Sequence, residues 1–347
     1  MNKLRKILYP FSLLYGEITG IRNKAYEKGI ISESTFTTPT IVVGNLNVGG
    51  TGKSPQIEYL IDLLKKDYKV AVLSRGYRRR SKGFILADED STSEQIGDEP
   101  LQFYRKFKDI IVAVDAERVN GIHQLQGLTM PPDVILLDDA FQHRKVRAGL
   151  SILITAYGNL YSDDALLPSG NLREKKKGAR RAQIIIVSKC PDNLSKKEQF
   201  SIAQRLEPEL NQVVFFSKIA YDQFIMSRDD RIEISKLENY KVLLITGIAN
   251  SDPLLKFLES KNVDLKHIKF VDHHNFTHAD KEKIFDSFDR IKSDKKIMLT
   301  TEKDYVRTFL NDKRQIYYLP IQTKFLDNKS DFNKLILNYV RQNTGNS

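Results

Sequence analysis

Cysteine is almost absent from this chain: Cys190 is the single one in 347 residues. One thiol excludes an internal disulfide and any cysteine-rich metal site, and it fits a reducing cytosol. No apolar run approaches the ~20 residues that a membrane-crossing helix requires. There is no internal repeat and no low-complexity segment, and no small-residue cleavage site follows the first apolar stretch, so a signal peptide is a poor description of the N-terminus. Acidic residues are outnumbered, 44 Asp and Glu against 55 Lys and Arg, which leaves a formal charge of +11. Phosphate ligands, an anionic membrane face and nucleic acid would each account for that excess. The densest basic cluster, Lys175, Lys176, Lys177, Arg180 and Arg181, lacks interleaved aromatics. That argues against single-stranded nucleic acid and for phosphate or anionic lipid; no nucleic-acid partner is expected.

The length suggests two domains, on a prior of about 150 residues each. Its organising stretch runs from Pro39 to Leu64. Ile41, Val42 and Val43 form a short β-branched run suited to a buried parallel strand. Ile57, Leu60, Ile61 and Leu64 then repeat at helical spacing. Between them lie Asn47, Val48, Gly49, Gly50, Thr51, Gly52, Lys53 and Ser54. Glycines let the backbone curl so that several N–H groups point at one anion, and the positive helix end reinforces them. Lys53 would reach the outer phosphates and the Ser54 hydroxyl would ligate Mg2+. Asn47 stands at the first glycine position of the phosphate-loop pattern, the one departure from it. Pro55 is tolerated in a first helical turn, where its missing N–H costs little. The stretch predicts a nucleoside triphosphate site.

Before it, Leu4, Ile7, Leu8, Phe11, Leu14, Ile18 and Ile21 share one helical stripe, while Lys3, Arg5, Lys6, Arg22, Lys24 and Lys28 supply charge. Such a basic amphipathic helix lies in a membrane interface or packs on the domain it precedes. Pro10 kinks it or marks its start.

After the loop, Tyr68 to Ser74 reads as a strand ending in Arg75-Gly76-Tyr77. Ligands of open α/β sheets bind beyond the carboxyl ends of strands, so Arg75 should face the site. Gly97-Asp98-Glu99-Pro100 opens a helix to about Phe107, and the acidic pair there suits the helix dipole as well as chemistry. Asp109 to Val114 is a further strand, followed by a helix carrying Arg118. Asp133 to Leu137 is another, ending in Asp138-Asp139, the usual means of holding Mg2+ downstream of a phosphate loop; Gln142 and His143 follow at once. Leu150 to Thr155 and Gln183 to Ser188 complete the first alternation. Val213 to Tyr221 reads as an extended connector, and a second alternation follows, with strands at Val242 to Thr246 and Lys296 to Thr300 and helices near 252–260, 278–290 and 302–310. Asp272-His273-His274 and Thr301-Glu302-Lys303-Asp304 are its two chemical-looking spots. Adjacent histidines suggest metal, yet no third ligand sits at zinc-site spacing.

The expected fold is α/β: a P-loop NTPase-like, mostly parallel sheet with helices on both faces, plus a smaller α/β C-terminal domain. The expected segments are an N-terminal helix (1–30), the phosphate-loop domain (31–215) and the C-terminal domain (216–347).

Val43-Gly44-Asn45 before Gly49–Pro55, Ser74-Arg75-Gly76-Tyr77, Gly97-Asp98-Glu99-Pro100, Asp138-Asp139-Ala140-Phe141-Gln142-His143, Leu172-Arg173-Glu174, Thr246-Gly247-Ile248-Ala249-Asn250, Asp272-His273 and Thr301-Glu302-Lys303-Asp304, in that order and spacing, resemble the tetraacyldisaccharide 4'-kinases. The resemblance spans the chain from the N-terminal helix to about residue 305. It implies a kinase that uses ATP and Mg2+ to phosphorylate the 4'-hydroxyl of a lipid A precursor, the tetraacyl disaccharide 1-phosphate. It further implies work at an anionic membrane surface, the cytoplasmic face of the inner membrane. A monomer is expected. By the same resemblance Lys53 and Ser54 serve ATP and Mg2+, Asp98 is the base with His273 as its partner, and Asp138 and Asp139 lie on the metal side. Arg75, Tyr77, Arg118, Gln142, Arg173 and Glu174 would line the nucleotide or sugar-phosphate side. Two departures bear on loop geometry: Ala140 stands where glycine is common, and Lys175 where proline is common. The rival reading is a GTPase-like regulatory or metal-insertion protein, which would want an Asn/Thr-Lys-x-Asp base-reading motif. Ser188-Lys189-Cys190-Pro191-Asp192 is one residue too long for it, and Thr301-Glu302-Lys303-Asp304 places its lysine one position late.

Overall fold

A computed structural model describes residue 5, residues 7–272 and residues 274–345. The chain forms two units. One runs to Ile219 and is completed from Thr323 onward; the other is Ala220–Gln322.

In the first unit, helix α1 (Tyr9–Glu27) has Pro10 in its first turn, so the proline marks the start of this helix. Strand β1 (Thr40–Gly44) is buried along its whole length and leads through the glycine loop into α2 (Lys53–Leu64). There follow β2 (Val70–Ser74), β3 (Ile85–Leu86), a short helical turn Ser93–Ile96, α3 (Asp98–Lys106), β4 (Ile111–Val114), α4 (Arg118–Gln126), β5 (Val134–Asp138), β6 (Leu150–Ala156), β7 (Ile184–Ser188), α5 (Lys196–Leu206) and β8 (Val213–Tyr221).

Side chains alternate across β1, so its two faces feed two cores. Ile41 and Val43 meet Ile57, Leu60, Ile61 and Leu64 of α2. Val42 lies in the opposite layer with Ile122 and Leu125 of α4 and Ile202 and Leu206 of α5. Each of the four α2 side chains is fully buried and contributes ~1.5–3 kcal/mol relative to exposure. That burial fixes the start of α2, and hence Lys53, against the end of β1.

The second unit carries β9 (Phe224–Met226), β10 (Arg231–Glu233), β11 (Lys241–Thr246), α6 (Asp252–Glu259), β12 (Asp264–Lys269), α7 (His278–Asp289), β13 (Lys296–Thr301) and β14 (Ile316–Leu319). Its sheet has the order β10-β9-β14-β13-β11-β12. Strands β12, β11, β13 and β14 are parallel, and β9 and β10 add an antiparallel edge. The helix expected near 302–310 is a single turn, Glu302–Asp304, followed by a wide π-turn, Tyr305–Phe309.

The chain then returns to the first unit as β15 (Ile321–Phe325) and α8 (Lys329–Asn343). The nine-stranded sheet reads β15-β8-β7-β6-β1-β5-β2-β4-β3, parallel from β8 to β4 with β3 antiparallel at its edge. This corrects the expected boundary at residue 216. Most of the supposed connector is a sheet strand, and residues 323–347 belong to the first unit. The physical reason is the apolar stripe Phe332, Ile336 and Val340 of α8, fully buried in the same core as Ile57 and Leu60. Tyr339 adds hydrogen bonds from its hydroxyl to the carbonyl (3.1 Å), and from the N–H (3.2 Å), of Thr40.

Candidate active site

Parallel pairing aligns the strand ends of the first unit. Val43 is level with Asp138, Gly44 with Leu153, Ser74 with Val114, and Ala156 with Ser188. The residues after these ends therefore gather along one edge, as expected of an open α/β sheet.

The glycine loop is built by local strain and outside ties. Gly49 (φ 113°) and Gly52 (φ 88°) occupy the left-handed region, which glycine enters without a Cβ clash. A Cβ at Gly49 would meet nothing within 4 Å, so the loop borders open space. Buried Asn45 donates from Nδ2 to Thr51 Oγ1 (2.9 Å) and to the Gly49 carbonyl (3.4 Å), cross-bracing the loop from within. Asn47, at the missing glycine position, is fully buried and donates to Asp164 (2.9 Å). The Val48 N–H is engaged by the Asn171 carbonyl at 2.8 Å. These two expected ATP contacts thus fasten the loop to the 164–173 segment, while Gly49 and Gly50 are exposed, Gly52, Lys53 and Ser54 are half-buried and Thr51 is buried.

Beyond β5 the chain turns sharply, with Asp139 at φ 47°. Gly44 permits this turn to close on β1, because a Cβ there would stand 2.5 Å from Phe141 Cβ. Asp138 accepts from Ser74 Oγ at 3.1 Å. Burial pushes its carboxyl up to about 6, and the negative charges of Asp139 and Glu99 add to the rise. Burial also opposes ionisation of Asp139, but Lys53 and Arg173 outweigh it and hold that group below its usual range. Lys53 Nζ lies 3.6 Å from Asp139, and Arg173 Nη1 reaches both its oxygens at 3.0 and 3.1 Å. Gln142 ties this cluster to the loop, donating to the Asn45 carbonyl at 2.9 Å and to Glu174 at 3.1 Å.

Arg75 and Tyr77 are exposed beyond β2. Their turn is pressed against the start of α3 through two glycines in the left-handed region, Gly76 (φ 69°) and Gly97 (φ 93°). A Cβ on Gly97 would meet the Gly76 backbone at 3.2 Å, and one on Gly76 would meet the Ile96 carbonyl at 2.9 Å. Two separate sequence motifs thereby become one wall, which sets half-buried Asp98 in the first turn of α3 beside Arg75 and Tyr77.

Two expected ligand-lining residues are not presented to a ligand. Arg118 is buried, with Nη1 on the Asp115 carbonyl and Nη2 3.3 Å from that of Asp138. It braces the end of β5 from behind, and burial of His143, reinforced by the charges of Arg118 and Arg75, drives that imidazole down to about 4. Glu174 is fully buried. It accepts two bonds from Arg181, each 2.8 Å, one from Asn23 of α1 (2.8 Å) and one from Gln142. A carboxylate so enclosed joins α1, the basic turn and the glycine loop. Glu174→Ala would leave the Arg181 charge half-buried without it, a loss of about 3–5 kcal/mol. A thermal unfolding series should show that fall, and an unchanged midpoint would defeat the bracing role.

In the second unit, Asp304 is buried and accepts from the Gly247 N–H (2.8 Å), Thr301 Oγ1 (2.8 Å) and Arg307 (2.5 Å). The Thr-Gly-Ile and Thr-Glu-Lys-Asp motifs are two halves of one latch at the ends of β11 and β13. His274 Nε2 donates to the Asp280 carboxylate at 3.0 Å and the ring stacks on Phe270, which occupies it structurally. His273, the expected partner of Asp98, lies outside the described residues.

With this geometry in hand, the chain can be set beside known proteins. Residues 4–341 match the family described as LpxK, tetraacyldisaccharide-1-P 4'-kinase. A tetraacyldisaccharide 4'-kinase of Flavobacterium johnsoniae is 50% identical over 346 residues, 99% of each chain. That of Bacteroides thetaiotaomicron is 44% identical, over 99% of this chain and 96% of its own. The crystal structure of LpxK from Aquifex aeolicus in complex with ATP superposes with a TM-score of 0.77 at 31% identity, over 97% of this chain and 99% of that one.

This chain belongs to the tetraacyldisaccharide 4'-kinase family.

The two departures from the family pattern leave the loops intact. The left-handed residue of the β5 turn is Asp139, so Ala140 needs no glycine. Lys175 has φ −58° and ψ 146°, the backbone that a proline ring would impose. Sequence reasoning missed Asn45, Ser74 and Glu99 as parts of the site of this family member. Asn45 could have been noticed as a polar residue directly after a buried strand.

Proposed function

We propose that this protein transfers the γ-phosphoryl group of ATP to the 4'-hydroxyl of a tetraacyl disaccharide 1-phosphate, the lipid A precursor. The observation that carries the reading is the open glycine loop heading α2, with Lys53 and the Asp138–Asp139 pair at the same sheet edge. The ATP-bound structure of a relative with the same fold supports the nucleotide assignment. In this reading the loop acts as a phosphate-binding loop, and Lys53 places and neutralises the outer phosphates.

The residues present fit Mg2+. Among the described residues no group of three or more His, Cys, Asp or Glu gathers into a metal cage, but Mg2+ typically takes one or two carboxylates beside phosphate oxygens and water. Burial, and after it the negative charges of Asp139 and Glu99, raise Asp138, and a divalent cation would relieve the repulsion among these carboxylates. Ser54, Asp138 and Asp139 would hold it, and it would supply neutralisation of the negative charge on the phosphates. Asp98 takes the proton of the sugar hydroxyl, with His273 as its assistant. Arg75, Tyr77 and Arg173 face the sugar-phosphate and nucleotide, while Gln142 positions Arg173. Incubating the protein with labelled ATP, Mg2+ and the tetraacyl disaccharide 1-phosphate should give a doubly phosphorylated lipid. Failure of the unaltered protein to label that lipid would overturn the reading.

The helix α1 supports a membrane-surface reading; no helix among the described residues is long and apolar enough to cross a bilayer. Its polarity is inverted relative to an ordinary packed helix. Ser12 and Gly16 are buried, and Ser12 Oγ contacts Ser169 Oγ at 2.7 Å, Tyr15 reaches the Arg173 carbonyl at 2.8 Å and Asn23 reaches Glu174. Phe11, Leu14, Ile18 and Ile21 point outward, each 60–67% exposed. Small and polar residues hold the helix to its domain, leaving the apolar stripe for the acyl boundary of a membrane. The flanking cations would add about 1 kcal/mol each near an anionic leaflet. Changing Phe11, Leu14, Ile18 and Ile21 together to serine should lower partition into anionic vesicles more than about tenfold, with ATP affinity unchanged. Undiminished sedimentation with vesicles would refute the membrane role of this face.

A further inference from the structure

The Ser188-Lys189 pair at the end of β7 takes no part in the site so far. It belongs to the segment that fails as a base-reading motif, and the structure shows that Asp192 pairs with Lys218 at 2.6 Å. The first two residues do something else. Buried Ser188 donates from Oγ to the Thr51 carbonyl at 2.6 Å. Lys189 Nζ donates to the Gly50 carbonyl at 2.5 Å. Two consecutive carbonyls of the glycine loop are thus drawn toward β7.

In a trans peptide the C=O and the following N–H point in opposite directions. Holding the Gly50 carbonyl outward therefore turns the Thr51 N–H inward, and holding the Thr51 carbonyl does the same for the Gly52 N–H. These are the donors of a phosphate cradle. The lysine is itself held in an unfavourable backbone state, φ 58°, a region that a non-glycine residue seldom enters. Its neighbour pins that state: the Cys190 N–H bonds the Ser217 carbonyl at 3.0 Å. Partial desolvation lowers the basicity of the Lys189 amine, and repulsion from the Lys53 charge lowers it further. An anion placed between them removes that repulsion.

We propose that Lys189 is a positioning residue for ATP, acting through the Gly50 carbonyl to aim the loop N–H groups, with Ser188 as its partner on Thr51. This rests on the ATP reading above. Strapping the loop before the nucleotide arrives keeps the donors from relaxing outward, so the effect belongs to binding more than to chemistry.

The test is equilibrium binding of ATP and ADP to Lys189→Met, Lys189→Arg and Ser188→Ala, paired with kinetics and thermal unfolding. Losing a charge-assisted hydrogen bond should weaken both nucleotides about 10- to 100-fold in Lys189→Met. KM for ATP should rise by the same factor, while kcat at saturating ATP changes little. Lys189→Arg should recover most of the affinity, and Ser188→Ala should show the same pattern more weakly. The unfolding midpoint of Lys189→Met without nucleotide should match the unaltered protein. ATP affinity near normal in Lys189→Met, or a fall confined to kcat, would overturn the inference, as would an arginine variant as weak as the methionine one. If the unaltered protein itself bound no ATP, the ATP reading would fall and this inference with it, and that outcome is told apart by needing no variant.

Discussion

Lys53→Ala is expected to cut phosphoryl transfer by at least about 10²–10³-fold while leaving the protein folded. Lys53 sits at the first position of α2, and its amine pairs with Asp139 at 3.6 Å. Asp139 keeps Arg173 at 3.0 Å when the lysine is gone, so no buried carboxylate is stranded and the unfolding midpoint should hardly move. The loss falls on the reaction. Phosphoryl transfer depends on positioning and on charge neutralisation at the transferred group, and alanine supplies neither. A second signature follows from the electrostatics. Lys53 lowers the carboxyls of both Asp138 and Asp139. Without it both titrate at higher pH, so residual activity should move toward alkaline conditions. Turnover within a few-fold of normal in a labelled-phosphate assay would remove the phosphate-loop argument altogether.

Much of this site was legible before any coordinates because parallel strands deliver their last residues to one edge. Once Ile41–Val43 and Asp133–Leu137 are read as buried parallel strands, Lys53 and Asp138 fall at the same sheet edge, and the pairing of β1 with β5 makes them neighbours. What the sequence could not reveal is which polar side chains look outward. Arg118 and Glu174 have the composition of ligand residues, but Arg118 is turned under the end of β5 and Glu174 is enclosed by Arg181, Asn23 and Gln142. Such pairings depend on distances between elements far apart in the chain. The same limit hid the return of α8. Phe332, Ile336 and Val340 announce an amphipathic helix by their spacing, yet nothing local says whose core they enter. In α1 the stripe was visible, but a helix that buries serine and glycine and exposes phenylalanine inverts the usual inference from periodicity. Of the two readings weighed for it, packing on its domain holds for the polar face, and the exposed apolar face is the one that the proposed membrane role would use.

Asp98→Asn should lower kcat by about 10²–10⁴-fold and leave KM for ATP nearly unchanged, since a base acts mainly in the transition state. The competing account makes Asp98 a helix-start residue. It does lie in the first turn of α3, behind Gly97 as N-cap, where an acidic side chain favours the helix dipole by ~0.3–1 kcal/mol. Asparagine would forfeit only that, so the dipole account forecasts a small stability change with turnover largely kept. The placement of Asp98 favours chemistry: the Gly76–Gly97 contact sets it beside the Arg75–Tyr77 turn at the edge where Lys53 and Asp138 gather. Coupling to His273 sharpens the distinction. Of the two adjacent histidines, the resemblance at Asp272-His273 selects His273 as the side chain to test; His274 pairs with Asp280 and stacks on Phe270. If the pair works as one unit, Asp98→Ala with His273→Ala should be little worse than the poorer single variant. Dipole stabilisation of α3 gives no reason for such coupling. A double-mutant cycle on kcat decides between them, and additive losses, or normal turnover in either single variant, would defeat the assignment of Asp98 and His273 as base and partner.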